Sequence, residues 1–289
     1  MDSTTRIERT LAAAMHRAEA PCCPPGLLQA MRHAVFPRGS RIRPRLCLAV
    51  AAACGEDAPA VGDAAAAAIE LMHCASLVHD DLPCFDDAAM RRGRPSVHAA
   101  YGQPLAVLAG DALIVLAFQA LASGTAAAPA RLAPLVSILA GAVGVPRGIV
   151  AGQAWECETA ADLAQYQQQK TGALFAAATE AGAASAGAAP GPWRLLGERL
   201  GEAYQVADDV RDAACEAAEI GKPVGRDLAL GRPSAALRFG IDGAIDRLRE
   251  LAQGAIEAVP ACKGAAALRA HILSETQRLL PRELAARAA

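Results

Sequence analysis

Helix-forming segments separated by glycine and proline breaks account for nearly the whole sequence, and this pattern constrains the fold more than any other feature. Hydrophobic residues, many of them alanine, make up 53% of the 289 residues, and aromatic residues make up only 3%. Alanine is the strongest helix former, and the residues typical of strands are sparse. No alternation of apolar and polar residues is long enough to require a sheet. The sequence therefore predicts an all-α fold.

The breaks also predict where the helices run and how the chain is divided. A first short helix is predicted over residues 11–20, and two long helices over residues 60–81 and 103–123. The segment "RPRLCLAVAAACG" has a proline near its start and a glycine at its end, which is typical of a helix. No linker, low-complexity tail or repeat of fixed period interrupts the series. We predict a single domain over residues 1–289.

Composition argues against several classes of protein. The formal net charge of −2, from 28 Lys and Arg against 30 Asp and Glu, argues against a general nucleic-acid binder. Nine cysteines without paired CxxC spacing argue against a disulfide framework or a zinc site. The stretch "MDSTTRIERTLAAAMHRAEA" lacks the apolar core of a signal peptide. We therefore expect a cytoplasmic protein with reduced thiols.

One uncharged stretch, residues 112–130, is long enough to span a bilayer. Only its first third is strongly apolar, and polar and small residues dominate the remainder. We interpret this stretch as a buried helix and expect no stable insertion into a membrane.

A cluster of four aspartates follows the long apolar segment that ends near residue 80. In "LVHDDLPCFDDAAMRRGRP" the carboxylates are Asp80, Asp81, Asp86 and Asp87. Pro83 cannot donate a backbone hydrogen bond, so we expect the helix to break or distort there. The distortion could turn Asp86 back towards Asp80, although an ideal helix would place the two on different faces.

A second cluster, in "YQVADDVRDA", contains Asp208, Asp209 and Asp212. Positions i and i+4 of a helix share a face, so Asp208 and Asp212 form one carboxylate pair. Either cluster taken alone could be a solvated helix end. However, aspartates so close together destabilise a helix, and both clusters follow apolar segments. Oxygen ligands without cysteine or histidine spacing favour Mg²⁺, which commonly bridges to phosphate oxygens.

Basic residues near these clusters supply the rest of a phosphate-binding site. Arginine contacts phosphate with two parallel hydrogen bonds, and lysine acts as a point charge. The candidates are Arg91, Arg92, Lys170, Lys222 and Arg226. Two carboxylate clusters with these cations indicate metal-assisted diphosphate chemistry beside an apolar pocket.

Five segments in order resemble the motifs of the trans-prenyl diphosphate synthases, the family that makes farnesyl and geranylgeranyl diphosphate. They are "RGSRIRP", "HCASLVHDDLPCFDDAAMRRGRP", "KTGALF", "YQVADDVRD" and "GKPVGRDLALGRPS". The resemblance covers residues 38–231, and the spacing of the first aspartate motif is similar to the bacterial form. It implies a helical bundle around a deep catalytic cavity, and a homodimer.

The resemblance also implies a Mg²⁺ cluster, of three ions when diphosphate is bound, with Mn²⁺ as a possible substitute. Its implied metal ligands are Asp80, Asp86 and Asp208, with Asp81 and Asp212 in support. The implied catalytic group adds Asp209 together with the cations Arg91, Lys170 and Lys222, which stabilise the diphosphate as it leaves.

The implied substrates are isopentenyl diphosphate and allylic prenyl diphosphates. The isopentenyl diphosphate pocket of the family corresponds to Arg43, His73 and Arg92, and the same cavity includes Thr171 and Gln205. The chain departs from the family at Ser40, where a lysine is usual. Our hypothesis is that Arg38 or Arg41 substitutes for that lysine.

Product length is expected to depend on the helix before Asp80. Ala75 and Ser76 lie about 6–8 Å below Asp80 along a helix. Both are small, so a fifteen-carbon tail can pass, and Met72 and Phe118 are candidates for the floor. Geranylgeranyl diphosphate is the expected product, and farnesyl diphosphate or a longer product is the alternative.

Two other functions remain open from the sequence. A class I terpene cyclase would need an aromatic-lined cavity, whereas this chain is only 3% aromatic. A non-catalytic subunit of a heteromeric synthase would be expected to lose one aspartate motif, whereas this chain keeps both. We therefore favour the synthase.

Overall fold

The computed structural model describes residues 2–36, 39–158, 165–166, 168–214 and 234–279, and these ranges are almost entirely helical. This confirms the all-α prediction. The α-helices of these ranges are α1 Ser3–Ala18, α2 Pro25–Val35, α3 Ile42–Cys54, α4 Pro59–Asp80, α5 Val97–Tyr101, α6 Gln103–Gly124, α7 Leu132–Val143, α8 Ile149–Ala154, α9 Ala173–Ser185, α10 Arg194–Ala214, α11 Ala235–Glu257 and α12 Ala265–Gln277. A single π-helical turn covers Gln168–Gly172.

Helix α4 lies at the centre of the packing, between α3, α6 and α9. Its alanines Ala66, Ala67 and Ala68 are fully buried, as are Leu113 on α6 and Leu174 on α9. Alanine side chains let neighbouring helices approach closely, and each buried leucine contributes about 1.5–3 kcal/mol through removal of apolar surface from water. The aspartates at the end of α4 are therefore carried by the most firmly packed helix of the core.

Helix α1 is longer than the sequence predicted. It starts at Ser3, after an N-cap at Asp2 whose carboxylate accepts a hydrogen bond from the Thr5 N–H. The prediction of a start at residue 11 was wrong because charged residues hid an amphipathic pattern. Ile7 and Leu11 are buried at helical spacing on one face, while Arg9 between them is exposed.

A short hairpin interrupts the helices after the first aspartate cluster. Strands β1 Met90–Arg91 and β2 Arg94–Pro95 pair antiparallel, with Arg91 opposite Arg94. The turn residues Arg92 and Gly93 both have positive φ, 54° and 75°. This is the backbone that two-residue hairpin turns require, and glycine adopts it without strain. Strands of two residues are too short to produce a detectable alternation in sequence.

Helices α4 and α6 are both long and apolar enough, by length and composition, to cross a membrane. Of the 18 consecutive residues of α4 that are most apolar, 78% are buried, as in the core helix of a globular protein. In the corresponding 18 residues of α6 only 44% are buried, so the prediction of a buried helix holds for one face of α6 only. The other face exposes Val107, Leu108 and Val115.

Candidate active site

The chain reverses direction immediately after α4, at the first aspartate cluster. The Asp86 N–H donates to the Asp80 carbonyl at 3.0 Å, and the Asp87 N–H donates to the Leu82 carbonyl at the same distance. The turn contains Pro83, which cannot continue the helical hydrogen bonds. As the sequence suggested, the distorted backbone brings Asp86 back beside Asp80.

Three carboxylates come together at this turn. Oxygen atoms of Asp80, Asp86 and Glu156 all lie within 4.8 Å of one another, and the three residues are partly buried. Converging carboxylate oxygens suit a hard cation such as Mg²⁺, so these residues fit the implied metal. Glu156 was missed by the sequence analysis because its only local signal is an acidic residue at the end of an apolar helix.

Lys170 holds two of these carboxylates. Its Nζ donates to Asp80 Oδ1 at 3.0 Å and to Glu156 Oε1 at 2.7 Å. Burial alone would lower the pKa of Lys170, but the negative charge of Asp80 and the bond to Glu156 raise that pKa above its ordinary value. Lys170 therefore stays protonated and keeps a positive charge at the carboxylate group.

Asp81 is not part of this group of converging oxygens and binds Arg91. The Arg91 Nε donates to Asp81 Oδ1 at 2.9 Å and Nη2 donates to the same oxygen, while Nη2 lies 4.0 Å from Asp80. The Asp81 side chain is only 3% exposed, and burial raises its pKa despite the opposing charge of Arg91. This ion pair fixes the Arg91 guanidinium beside Asp80.

A second group of cations lies near the start of α3. The Arg43 Nη1 lies 3.4 Å from His73 Nε2, and the guanidinium stacks on the rings of Phe175 and Tyr204 at 4.4 and 5.6 Å. Burial, together with the charges of Arg43 and Arg92, holds the pKa of His73 well below its usual value. The neutral imidazole can therefore accept a hydrogen bond from Arg43.

The Arg43 Nε is buried and has no hydrogen-bond partner among the residues that the structure describes. A buried donor without an acceptor costs about 1–3 kcal/mol. An anionic ligand that reached the guanidinium would supply the missing acceptor.

Gly39 lies directly against the Arg92 guanidinium. A Cβ at position 39 would come within 2.5 Å of Arg92 Cζ and Nη2. Arg92 also has a positive φ, which a non-glycine residue adopts only when its surroundings enforce it. The hairpin turn and the space at Gly39 together set the position of this cation.

Of the two arginines predicted to substitute for the missing lysine, Arg41 lies within the described residues and Arg38 does not. Arg41 is buried and donates to Glu8 at 2.9 Å, to Glu70 at 2.5 Å and to the Val35 carbonyl at 2.8 Å. These bonds tie α1, α2 and α4 together, so Arg41 holds the fold and does not face the carboxylate group. Arg38 lies outside the described residues, as does Lys222.

The second aspartate cluster lies on α10. Asp208 bonds with Arg211 at 3.2 Å, and Asp212 is partly buried one turn later. One turn earlier, Gln205 accepts a hydrogen bond from the Thr171 hydroxyl at 2.9 Å. Since Thr171 follows Lys170, which binds Asp80, a short series of contacts connects the two aspartate clusters.

The predicted product-length residues differ in burial. Met72 and Ala75 are within the packed core, at 2% and 1% exposure. Ser76 is partly buried and bonds to the His73 carbonyl at 3.0 Å, one turn before Asp80. Phe118 on α6 is partly buried against the core. Of the two small residues, Ser76 is therefore the one that the core does not fully enclose.

Comparison with protein families agrees with this geometry. The sequence model of the polyprenyl synthetase family matches residues 24–267. A geranylgeranyl diphosphate synthase of Cereibacter sphaeroides is 52% identical over 282 residues, which cover 98% of each chain. A farnesyl diphosphate synthase of Geobacillus stearothermophilus is 38% identical over 84% of each chain.

Solved structures with the same fold extend the comparison. A geranyltransferase from Helicobacter pylori, in complex with magnesium and isoprenyl diphosphate, superposes with a TM-score of 0.81 at 28% identity. The match covers 96% of this chain and 95% of that one. A geranylgeranyl pyrophosphate synthetase from Pyrococcus horikoshii has a TM-score of 0.80 at 26% identity, over 96% of this chain and 98% of that one.

Proposed function

Since the chain belongs to the polyprenyl synthetase family, we propose that it joins isopentenyl diphosphate head-to-tail to allylic diphosphates and releases geranylgeranyl diphosphate. One observation carries this proposal: the carboxylates of Asp80, Asp86 and Glu156 converge beside Lys170. The name of the relative with 52% identity supports the twenty-carbon product.

The carboxylate group is the proposed site of the allylic diphosphate. Asp80, Asp86 and Glu156 would hold Mg²⁺, with Asp208 and Asp212 contributing from α10. When bound, the metal would neutralise charge on the departing diphosphate. Lys170 and Arg91 add positive charge that is already oriented by Asp80 and Asp81, so little reorganisation accompanies the loss of the diphosphate.

The Arg43 group is the proposed site of isopentenyl diphosphate. Its buried Nε has no acceptor within the described part of the chain, and neutral His73 can accept a hydrogen bond that orients the guanidinium. Arg92 completes the pocket from the hairpin turn. Two adjacent anion sites are what a reaction between two diphosphates requires, because one substrate loses its diphosphate while the other keeps it.

Incubation with radiolabelled isopentenyl diphosphate and each allylic starter tests this function. Chromatography of the dephosphorylated products should show twenty-carbon alcohol as the main species, in a reaction that stops when EDTA removes the metal. A cyclic hydrocarbon formed without isopentenyl incorporation would instead identify a terpene cyclase. Complete lack of turnover by the folded protein alone, with activity restored by a partner chain, would identify a non-catalytic subunit.

Replacing Gly39 by alanine should weaken the isopentenyl diphosphate site through Arg92. The added Cβ would overlap the guanidinium, which is the flexible part and would move away. The KM for isopentenyl diphosphate should rise on the order of tenfold, the effect of one lost charged hydrogen bond. The KM for the allylic substrate should change less. Steady-state kinetics measures both values, and Ser40→Ala, at an exposed neighbouring position, is the control. Equal KM changes for both substrates would contradict this role of Gly39.

We also propose that the exposed face of α6 packs against a second copy of the chain. Val115 is 56% exposed and Leu108 is 51% exposed, and both lie on the long apolar helix α6. Apolar surface of this kind on a long helix is typical of a homodimer interface.

Light scattering should therefore find a dimer at micromolar concentration, and Val115→Asp should shift it towards monomer. Leu273→Asp, at a residue of α12 that is 46% exposed, is the matched control and should leave the dimer intact. A monomeric native protein would contradict the proposed interface.

A further inference from the structure

Asp209, the middle aspartate of the second cluster, uses its carboxylate differently from its neighbour Asp208. It is 3% exposed, whereas the Asp208 side chain is 32% exposed. Asp209 Oδ1 accepts a hydrogen bond from Gln205 Nε2 at 2.9 Å. Its Oδ2 accepts the backbone N–H of Ala235 at 2.7 Å. Both oxygens of the buried carboxylate are thus engaged by the protein itself.

The contact with Ala235 attaches the start of α11 to α10. Ser234 is the N-cap of α11, and its hydroxyl accepts the Leu237 N–H at 3.2 Å. The first N–H groups of a helix have no partner within the helix, and a carboxylate there is favoured by their partial positive charge. Asp209 satisfies one of these donors from a different helix.

The contact with Gln205 leads in the opposite direction, to the first aspartate cluster. The Thr171 hydroxyl donates to Gln205 Oε1 at 2.9 Å. Thr171 is adjacent to Lys170, which bridges Asp80 and Glu156. The series Asp209–Gln205–Thr171 therefore connects α11 and α10 with the turn that carries the bridging lysine.

We propose that Asp209 is a positioning residue and not a metal ligand: with Gln205 and Thr171 it sets the placement of the Lys170 turn and of α11 relative to Asp208. This inference deepens the proposed function and rests on it. The aspartates of the second motif then divide by role. Asp208 and Asp212 would bind the metal and the diphosphate, whereas Asp209 fixes the positions of the Lys170 turn and of α11.

The substitution Asp209→Asn distinguishes a positioning role from a role as metal ligand. In Asp209→Asn the side-chain oxygen can still accept the Ala235 N–H. The new side-chain NH2 can donate to Gln205 Oε1 once the Gln205 amide has rotated by 180°. A metal site, by contrast, would lose a negative ligand. Asp209→Asn should therefore keep turnover within about tenfold with an unchanged Mg²⁺ requirement. Asp209→Ala leaves two partly buried donors without this acceptor and should lower turnover about 10- to 100-fold.

Asp208→Asn is the matched control, since it makes the same chemical change at the adjacent residue. It should reduce turnover far more than Asp209→Asn and raise the Mg²⁺ concentration needed for half-maximal rate. If Asp209→Asn raised the Mg²⁺ requirement as much as Asp208→Asn does, Asp209 would be a metal ligand and the proposal would be overturned.

A readout without substrate separates this inference from the proposed function. Hydrogen exchange of the first turn of α11 should accelerate in Asp209→Ala and stay near the native rate in Asp209→Asn and Asp208→Asn. This result is expected even if the protein does not transfer prenyl groups. Native exchange rates and native turnover in Asp209→Ala would show that the carboxylate positions nothing.

Discussion

Replacing Asp80 by asparagine should lower turnover by about a thousandfold or more while the protein stays folded. Asp80 is the residue at which the converging carboxylates and Lys170 meet: it belongs to the group with Asp86 and Glu156, and it accepts a hydrogen bond from Lys170 at 3.0 Å. Loss of its charge should weaken the binding of the metal and also the ion pair that holds Lys170. Both effects remove stabilisation that is needed most when the diphosphate leaves.

The measurement is kcat at saturating substrates and Mg²⁺, with circular dichroism to verify folding. Asp87→Asn is the matched control, because Asp87 belongs to the same cluster but is exposed. Its φ of 45° is one that asparagine tolerates, so the change removes a charge without backbone strain. Turnover of Asp80→Asn within tenfold of the native rate would exclude Asp80 as an essential ligand.

Ser76→Phe should change the main product from twenty to fifteen carbons. Ser76 lies one turn before Asp80 and is only partly buried, so a phenyl ring has room to enter the path of a growing tail. The first condensation takes place at the carboxylate group above it and should continue. Total incorporation of isopentenyl diphosphate should therefore fall less than product length, as measured by chromatography of the dephosphorylated products.

Ser76→Ala, which removes the hydroxyl without adding bulk, is the control and should still give the twenty-carbon product. Ala75→Phe, the same change at the other small position, is a less direct test. Ala75 is 1% exposed in a packed core, where the added ring would cost about 1–3 kcal/mol of stability. Twenty-carbon product as the main species of both phenylalanine variants would mean that the tail takes another route.

The helical fold was accessible from the sequence because its signals are local. Proline and glycine at segment ends and a high content of alanine depend only on neighbouring residues, and the predicted bounds of α4 and α6 lie within one residue of those observed. The start of α1 was missed because its charged residues hid the apolar stripe. The hairpin at Arg92 was missed because two-residue strands leave no periodic signal.

The residue types of the site were also accessible from the sequence, but not their division into groups. Two aspartate clusters predict a metal site because crowded carboxylates are costly without a cation. Only the folded chain places Glu156 with Asp80 and Asp86, since Glu156 follows α8 and is far from the end of α4 in sequence. Arg41 is a second example. The sequence pattern grouped it with the phosphate-binding residues, whereas in the folded chain it forms ion pairs with Glu8 and Glu70.

The sequence by itself determined the helical fold class, the two aspartate motifs and the family, because propensity and motif spacing are properties of short segments. The tertiary structure decided which carboxylates converge, which arginines are held in ion pairs within the fold and how the contacts of Asp209 differ from those of Asp208. Those outcomes depend on burial and on partners supplied by distant segments. Two aspartates that are adjacent in sequence have different partners, because the packing of α10 against α11 and the Lys170 turn encloses Asp209 and leaves Asp208 more exposed.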